Sequence, residues 1–306
     1  MIASRFAGAP TLLAGLLACG PASAQWSLFE NFENDALGLI DGQDGWDSAG
    51  GDNSVAVDPL DPLNRVALIP SSSSTLYRSL SDAGLAVPDG TARTLFFRLR
   101  VAEKQTFSVG LSHLLHPREY SDFAPEIGMA NSTPNLDLRA WDDDGGNYEN
   151  IAQLDSGTWY NLWVRVETDT NTFAIWMHSR ASEDATTDDR LATITGNDLF
   201  AFRAGDASSL VSFYVKTSGG ASGTNFGPVY LDDIFLERSD AFTLANPLAE
   251  VCPGDLNHDG LVDLADITVF VDAFLSADPL ADRRPDNIYD LADVTAFISA
   301  FLAGCP

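Results

Sequence analysis

The C-terminal part of this chain contains the same segment twice. Asp263 to Leu275 reads DLADITVFVDAFL and Asp290 to Leu302 reads DLADVTAFISAFL, with a constant offset of 27 residues (290 − 263 = 27). Such a duplication predicts two copies of one structural unit that stack on each other. Both copies have apolar residues at helical spacing, and each therefore predicts an amphipathic helix. The predicted apolar stripes are Ile267, Phe270, Val271 and Phe274 in the first helix, and Val294, Phe297, Ile298 and Phe301 in the second.

An acidic loop precedes each predicted helix. In the first loop, oxygen-bearing side chains occupy positions 1, 3, 5, 9 and 12, glycine occupies position 6, and position 7 offers a carbonyl, which is the pattern of a calcium loop. The second loop has arginine, Arg284, at position 3 and is expected to bind more weakly. The alternative for both loops is an acidic solvated turn. The predicted ligands are Asp255, Asn257, Asp259, Leu261, Asp263 and Asp266 in loop one, and Asp282, Asp286, Ile288, Asp290 and Asp293 in loop two.

Two cysteines, Cys252 and Cys305, flank the duplication. A module this small has a limited core, so a disulfide between them would stabilise it by closing a long loop, an effect of about 4 kcal/mol in the chain-entropy model.

Residues 252–306 resemble a dockerin, the module with which bacterial polysaccharide-degrading and surface proteins bind cohesin partners. The resemblance lies in the two acidic loops, each ending in D-L-A-D and followed by its helix, and in the terminal Gly-Cys-Pro. It implies that loop positions 10 and 11 contact a cohesin-like or other surface docking protein. Those positions are Leu264 and Ala265 in one copy and Leu291 and Ala292 in the other, apolar where dockerins commonly have Ser-Thr.

The N-terminus predicts export. Residues 1–24 combine an arginine, a short apolar run and Ala-Ser-Ala before Gln25, which is typical of a cleaved signal peptide and too short for a transmembrane helix. The predicted localisation is secreted or cell-surface. A lipoprotein anchored through Cys19 is the alternative.

The chain has 17 basic and 44 acidic residues and a formal net charge of −27. This balance excludes nucleic acid as a partner, because phosphate binding depends on Lys and Arg. It is compatible with calcium binding.

Residues 25–240 show a period of two, which predicts β-strands. The clearest hairpin joins Tyr160 to Glu167 with Thr172 to His178 and points Leu162, Val164, Val166, Phe173, Ile175 and Met177 inward. We therefore expect a mainly β chain: an antiparallel β-sandwich over 25–240, a linker over 241–251 and a small two-helix calcium-binding module over 252–306.

Three segments of this domain, Phe29 to Trp46, Thr158 to Val164 and Val229 to Leu236, resemble bacterial concanavalin-A-like jelly rolls. That fold includes sugar-binding modules, glucanases and polysaccharide lyases, so it does not select a function by itself. The resemblance also implies a third, structural calcium site between the first and last strands, for which Glu33 and Asp233 are candidates, with ordinary charged strand ends as the alternative.

Catalytic motifs are scarce. The E-x-D-x-x-E pattern of laminarin-type enzymes is absent. The remaining candidates are His113, His116 and Tyr120, which offer the imidazole and phenol groups of a polysaccharide lyase.

Sugar binding requires exposed aromatic rings. Trp163 and Trp176 have the opposite phase to the inward residues of their hairpin. They form a sugar platform if that face is open and a second core if it is covered. The sequence therefore favours a polysaccharide-binding domain with a docking module; the alternatives are a lyase or hydrolase with an unfamiliar site and an adhesive protein that binds no sugar.

Overall fold

The computed structural model describes residues 26–62, 64–130, 132, 135–180, 183–205, 207–218, 227–248, 254, 256, 262–276, 278–284 and 288–303. Within these ranges no helix has both the length and the hydropathy needed to cross a membrane. The predicted signal peptide, Cys19, Cys252 and Cys305 lie outside the described residues.

Sixteen strands form two antiparallel sheets in the described part of the chain. The nine-stranded sheet has the order β14-β13-β12-β7-β16-β5-β4-β2, with β1 also paired to β16. Its strands are β1 (Trp26–Glu30), β2 (Gly38–Leu39), β4 (Ser54–Val57), β5 (Arg65–Ile69), β7 (Ala92–Val101), β12 (Trp159–Glu167), β13 (Thr172–His178), β14 (Phe200–Ala201) and β16 (Val229–Glu237).

The seven-stranded sheet has the order β11-β10-β9-β8-β15-β6-β3. Its strands are β3 (Trp46–Ala49), β6 (Ser74–Ser79), β8 (Phe107–Ser112), β9 (Phe123–Met129), β10 (Asp137–Asp142), β11 (Asn147–Gln153) and β15 (Ser212–Thr217).

The core lies between the two sheets and follows the strand alternation. All the residues predicted to point inward from the β12–β13 hairpin join this core, as do Phe97, Leu99 and Val101 of β7. The hairpin register pairs Trp163 with Trp176, and Asn171 turns the chain with φ = 53°, a conformation that asparagine tolerates. The period of two therefore identified the core face of these strands.

Two helices follow the sandwich, α1 (Leu264–Ser276) and α2 (Leu291–Ala303). The rings of Phe270 and Phe297 stack at 4.2 Å with an interplanar angle of 5°, so equivalent residues of the two repeats face each other. Val271 and Ile298, predicted to be in the apolar stripes, are instead exposed on the rim of an apolar groove, because two helices alone cannot cover the full width of each stripe. The predicted fold class is confirmed: a mainly β, two-sheet antiparallel sandwich followed by two helices.

Candidate functional site

The outer face of the nine-stranded sheet carries the two tryptophans predicted as a sugar platform. Trp163 is 0% exposed and Trp176 is 5% exposed. They form an apolar cluster with Phe96, Ala174 and Ala185, and we call this cluster the tryptophan face. The platform prediction is wrong, because rings with so little accessible surface cannot stack on a sugar, and the alternative of a second core is correct.

The tryptophan face is covered by residues 240–248, which we call the strap. The Trp163 indole N–H donates to Ala245 O at 3.0 Å, and the Ala185 N–H donates to Leu244 O at 2.9 Å. Asn246 is buried and donates from Nδ2 to Glu183 O at 2.9 Å. Residues 241–248, predicted as part of a linker, therefore pack on the sandwich.

The outer face of the seven-stranded sheet is different in chemistry. Its outward positions are aromatic, charged or very small, because the strand period turns them away from the core. We call this surface the tyrosine face and define it by Tyr77, Ser108, Glu126, Arg139, Trp141, Tyr148, Tyr214 and Lys216 from the strands, with Arg118, Tyr120 and Arg203 from adjacent segments.

Glycine at position 110 lets the backbones approach closely beside these rings. A Cβ on Gly110 would clash with the carbonyl oxygen of Pro125 in the bulged strand β9. The Phe123 ring covers this point and stacks on Tyr214 at 4.3 Å. The middle of the tyrosine face is therefore a fixed aromatic floor.

Glu126 organises one end of the tyrosine face. Its carboxylate is 0% exposed and accepts hydrogen bonds from Ser108 Oγ at 2.6 Å, Tyr148 OH at 2.5 Å and Arg203 Nη1 at 2.7 Å. A buried carboxylate with three donors is well compensated, so it holds Tyr148 and Arg203 in place.

Burial raises the pKa of Tyr148, and the negative charge of Glu126 raises it further. Burial likewise raises the pKa of Tyr120 and of Tyr214. These phenols therefore stay protonated near neutral pH and act as hydrogen-bond donors rather than as bases.

Cations lie against the rings of this face. The Arg203 guanidinium is 4.1 Å from the Trp141 ring centroid, and that of Arg139 is 4.4 Å from the Tyr148 ring. Lys216 Nζ is 5.4 Å from the Tyr120 ring. Trp141 and Tyr148 also pair edge to face at 5.0 Å across strands β10 and β11.

The other end of the face contains one of the predicted catalytic candidates. His116 Nδ1 and Arg118 Nη2 both lie 3.2 Å from the Tyr77 hydroxyl. His116 and Arg118 are exposed, whereas Tyr77 is largely buried. The structure thus brings His116 and Tyr120 onto the tyrosine face. The Nδ1 atom of His113 is buried and has no hydrogen-bond partner among the described residues.

Sequence reasoning missed most of this face. The alternation that identified Phe213 and Val215 as inward residues also turns Tyr214 and Lys216 outward, and this signal was present in the sequence. The turn after Asp142 likewise predicts a hairpin that would place Trp141 opposite Tyr148. Arg203 and Glu126 meet across 77 residues, and no local pattern indicates that contact.

The proposed third calcium site involves residues at the opposite sheet. Asp233 has φ = 49° at a bulge in β16 and forms an ion pair with Arg98 at 3.1 Å, while Glu33 Oε1 accepts the Arg65 N–H at 2.8 Å. Burial, together with the charge of Asp233, raises the pKa of Asp232. Arg98 already supplies positive charge to Asp232 and Asp233. Calcium binding by Glu33 and Asp233 stays a prediction.

In the C-terminal loops, the described ligand positions are Asp263, Asp266, Asp282, Ile288, Asp290 and Asp293, whereas Asp255, Asn257, Asp259, Leu261 and Asp286 lie outside the described residues. Across the described part of the chain no three acidic, His or Cys side chains converge on one metal position.

The last carboxylate of each loop is held in the same way in both repeats. Asp266 Oδ2 accepts the Asp263 N–H at 2.9 Å, and Asp293 Oδ2 accepts the Asp290 N–H at 3.0 Å. An all-oxygen donor set of aspartates fits a hard cation such as calcium.

The predicted docking residues lie at the start of the two helices. Leu264 and Leu291 are 75% and 76% exposed, Ala265 is exposed, and Ala292 is half-buried. Both repeats therefore present an exposed leucine at the same position, and docking through these residues stays a prediction.

Comparison with known proteins gives fold-level similarity. No protein-family model and no curated protein sequence matches this chain. Lectin II from Ulex europaeus aligns with a TM-score of 0.43 and 9% identity, covering 68% of this chain and 97% of the lectin. Domain 4 of AbnA, a GH43 extracellular arabinanase from Geobacillus stearothermophilus, aligns with a TM-score of 0.41 and 13% identity, covering 74% of this chain and 96% of that domain.

A GH131 beta-glucanase catalytic domain from Podospora anserina aligns with a TM-score of 0.39 and 11% identity, covering 63% of this chain and 81% of that domain. TM-scores below 0.5 at such low identity carry no functional argument. The sandwich assignment therefore rests on the strand pairing described above.

Proposed function

We propose that this protein is an exported polysaccharide-binding protein whose sandwich binds glycan on the tyrosine face and whose C-terminal module attaches it, with calcium, to a surface or complex. The observation that carries the proposal is the row of partly exposed rings and hydrogen-bonding groups on that face, centred on Trp141, Tyr148 and the fixed carboxylate of Glu126. Sugars bind proteins through aromatic faces and a few oriented polar groups, and this surface offers both.

Retention on polysaccharide gels tests the binding site. Trp141→Ala should abolish retention of the full chain, because the indole is half-buried and supplies contact area at one end of the tyrosine face. Trp159→Ala is the matched control: Trp159 is also half-buried but lies on the nine-stranded sheet, where it donates to Asp58. Equal loss in both variants would contradict a site on the tyrosine face, and absence of retention for the unaltered chain would favour the adhesive alternative.

The C-terminal module is proposed to require calcium, because its ligands are scattered in the unfolded chain and binding energy becomes folding energy. At free calcium one hundred times the dissociation constant, the ion would stabilise the module by about 2.7 kcal/mol. Calorimetry of the full chain with and without chelator should show loss of a transition of the module while the sandwich transition stays unchanged.

The two loops are proposed to differ in affinity. Arg284 is exposed at position 3 of the second loop, where it supplies no ligand and repels a cation. Arg284→Asn should therefore tighten the weaker of two calcium-binding events in isothermal titration. Two equal events in the unaltered chain would contradict the proposed order.

A polysaccharide lyase is the second candidate. It is favoured because His116 Nδ1 and Arg118 Nη2 each lie 3.2 Å from the Tyr77 hydroxyl. In a β-elimination, Arg118 would neutralise a uronate carboxylate and a neutral His116 would take the C5 proton. The C4–O bond breaks as the C4–C5 double bond forms, and a phenol returns a proton to the leaving oxygen. Burial raises the pKa of Tyr77, so this phenol stays protonated near neutral pH and is a weaker acid than an exposed tyrosine. The test is to incubate the protein with a uronate polysaccharide and follow the ultraviolet absorbance of unsaturated uronate. The absorbance should rise with the unaltered chain and not with His116→Ala.

A further inference from the structure

We infer that the ligand of the tyrosine face is an anionic polysaccharide whose carboxylate or sulfate groups bind Arg118 and Arg139. This inference rests on the proposed function and specifies its ligand. The chain as a whole carries −27, so it repels polyanions unless cations are gathered locally. Four cations, Arg118, Arg139, Arg203 and Lys216, are gathered on this one face.

Two of these cations have a carboxylate of the protein within ion-pair distance. Arg203 donates to the buried Glu126 at 2.7 Å, and Lys216 lies 3.9 Å from the exposed carboxylate of Glu119. In the first pair, the buried Glu126 carboxylate holds the half-buried Arg203 guanidinium over Trp141. The second is too exposed to hold Lys216 away from a ligand.

The other two cations have no carboxylate within ion-pair distance among the described residues. Arg118 lies over the Tyr77 ring, and Arg139 lies over the Tyr148 ring with a buried Nε that has no hydrogen-bond partner in the described structure. Burial lowers the pKa of Arg139, and the nearby charges of Glu126 and Asp137 offset this only in part. An arriving anion would supply the missing compensation.

Three arginines of the opposite sheet, in contrast, each have a carboxylate within ion-pair distance. Arg98 is 3.1 Å from Asp233, Arg165 is 3.6 Å from Glu237, and Arg100 is 4.0 Å from Asp58. In a chain with such an excess of acid, an arginine beside aromatic rings on an outer sheet face, with no carboxylate within ion-pair distance, is placed for an external anion.

The separation of Arg118 and Arg139 indicates a polymer rather than a small anion. Arg118 contacts Tyr77 on β6 and Arg139 lies on β10, with β15, β8 and β9 between them. Four strand spacings of about 4.8 Å place these strands about 19 Å apart. A ligand that meets both guanidinium groups must carry repeated anionic groups along an extended chain, with sugar rings lying on the tyrosine and tryptophan side chains between them.

Affinity electrophoresis of the full chain in gels containing polygalacturonate, a sulfated galactan or neutral laminarin tests the inference. Retardation should be strong in a polyanionic gel, weak in laminarin and reduced by added salt. Arg139→Gln and Arg118→Gln should each weaken it by about tenfold or more, the effect of losing a charge-assisted hydrogen bond. Whichever polyanionic gel retards the chain identifies carboxylate or sulfate as the group recognised.

The matched control is Arg238→Gln, which makes the same change in net charge at an exposed arginine directly after β16 of the nine-stranded sheet. Equal weakening by this variant, or equal retardation by single-stranded DNA, would mean that only overall charge is sensed and would overturn the inference. Retention in laminarin that equals or exceeds that in polyanions, still lost in Trp141→Ala, would overturn the inference while supporting the proposed function. No retention in any gel would reject both.

Discussion

Both sheets of the sandwich carry aromatic rings on their outer faces, and the two faces are used in opposite ways. On the tryptophan face, Trp163 and Trp176 are flanked by the apolar residues Phe96 and Ala174 and covered by the strap. On the tyrosine face, Trp141 and Tyr148 lie among arginines and keep part of their surface exposed.

The neighbours of a ring decide whether a strap can cover it. Covering apolar neighbours removes hydrocarbon from water and is favourable, at about 25 cal/mol per Å². Covering Arg118 or Arg139 without a carboxylate would cost the desolvation of a charge. An outward tryptophan is therefore informative about binding only when the residues beside it are known.

The largest expected effect that tests this comparison is on the tryptophan face. Trp163→Ala should lower the free energy of unfolding by about 3–5 kcal/mol, because it opens a cavity beneath the strap and removes the hydrogen bond to Ala245. Denaturant unfolding of the full chain measures it, with Trp159→Ala as a half-buried control that should cost less. A loss below about 1 kcal/mol would mean that the strap is not packed on this ring in solution.

A smaller effect is expected from the polar network of the tyrosine face. Tyr148→Phe should cost about 1.5–3 kcal/mol, because it removes one charge-assisted donor from the buried Glu126. Tyr230→Phe is the control, since the structure shows no hydrogen bond from that hydroxyl to a described residue. If both variants are equally stable, Glu126 does not organise this face.

The sequence predicted the two-layer β fold and the stacked helical repeat, because alternation and duplication are local signals that survive in a single chain. It also predicted that Trp163 and Trp176 point away from the main core, which is correct. It did not predict the strap, because no local pattern in 241–248 indicates its contacts with Glu183 and Trp163, which span 63 and 82 residues.

The candidate site was less predictable than the fold. His116 and Tyr120 were selected for their chemistry alone, and they lie on the tyrosine face. Glu126 and Arg203 carried no motif, and their pairing depends on how a loop after β14 packs on β9. Residues that form a site by crossing between sheets and loops leave no periodic trace, so only the tertiary structure shows them.

The smallest expected effect concerns how firmly the strap is closed. Asn246 is buried, donates to Glu183 O at 2.9 Å and accepts the Leu248 N–H at 2.8 Å. Asn246→Ala should therefore cost about 1 kcal/mol and raise the local opening of the strap about fivefold, while the sandwich core stays folded.

Hydrogen exchange of the Ala185 amide reports this opening directly, because that N–H donates to Leu244 O within the covered cluster. Thr243→Ala, which removes a hydroxyl that accepts only the nearby Ala245 N–H in the described structure, is the control and should change Ala185 exchange less. Unchanged exchange of the Ala185 amide in Asn246→Ala would show that the tryptophan rings alone hold the strap. Exchange raised to the rate of an exposed amide would show that the tryptophan face opens readily, and this result would weaken the contrast between the tryptophan face and the tyrosine face.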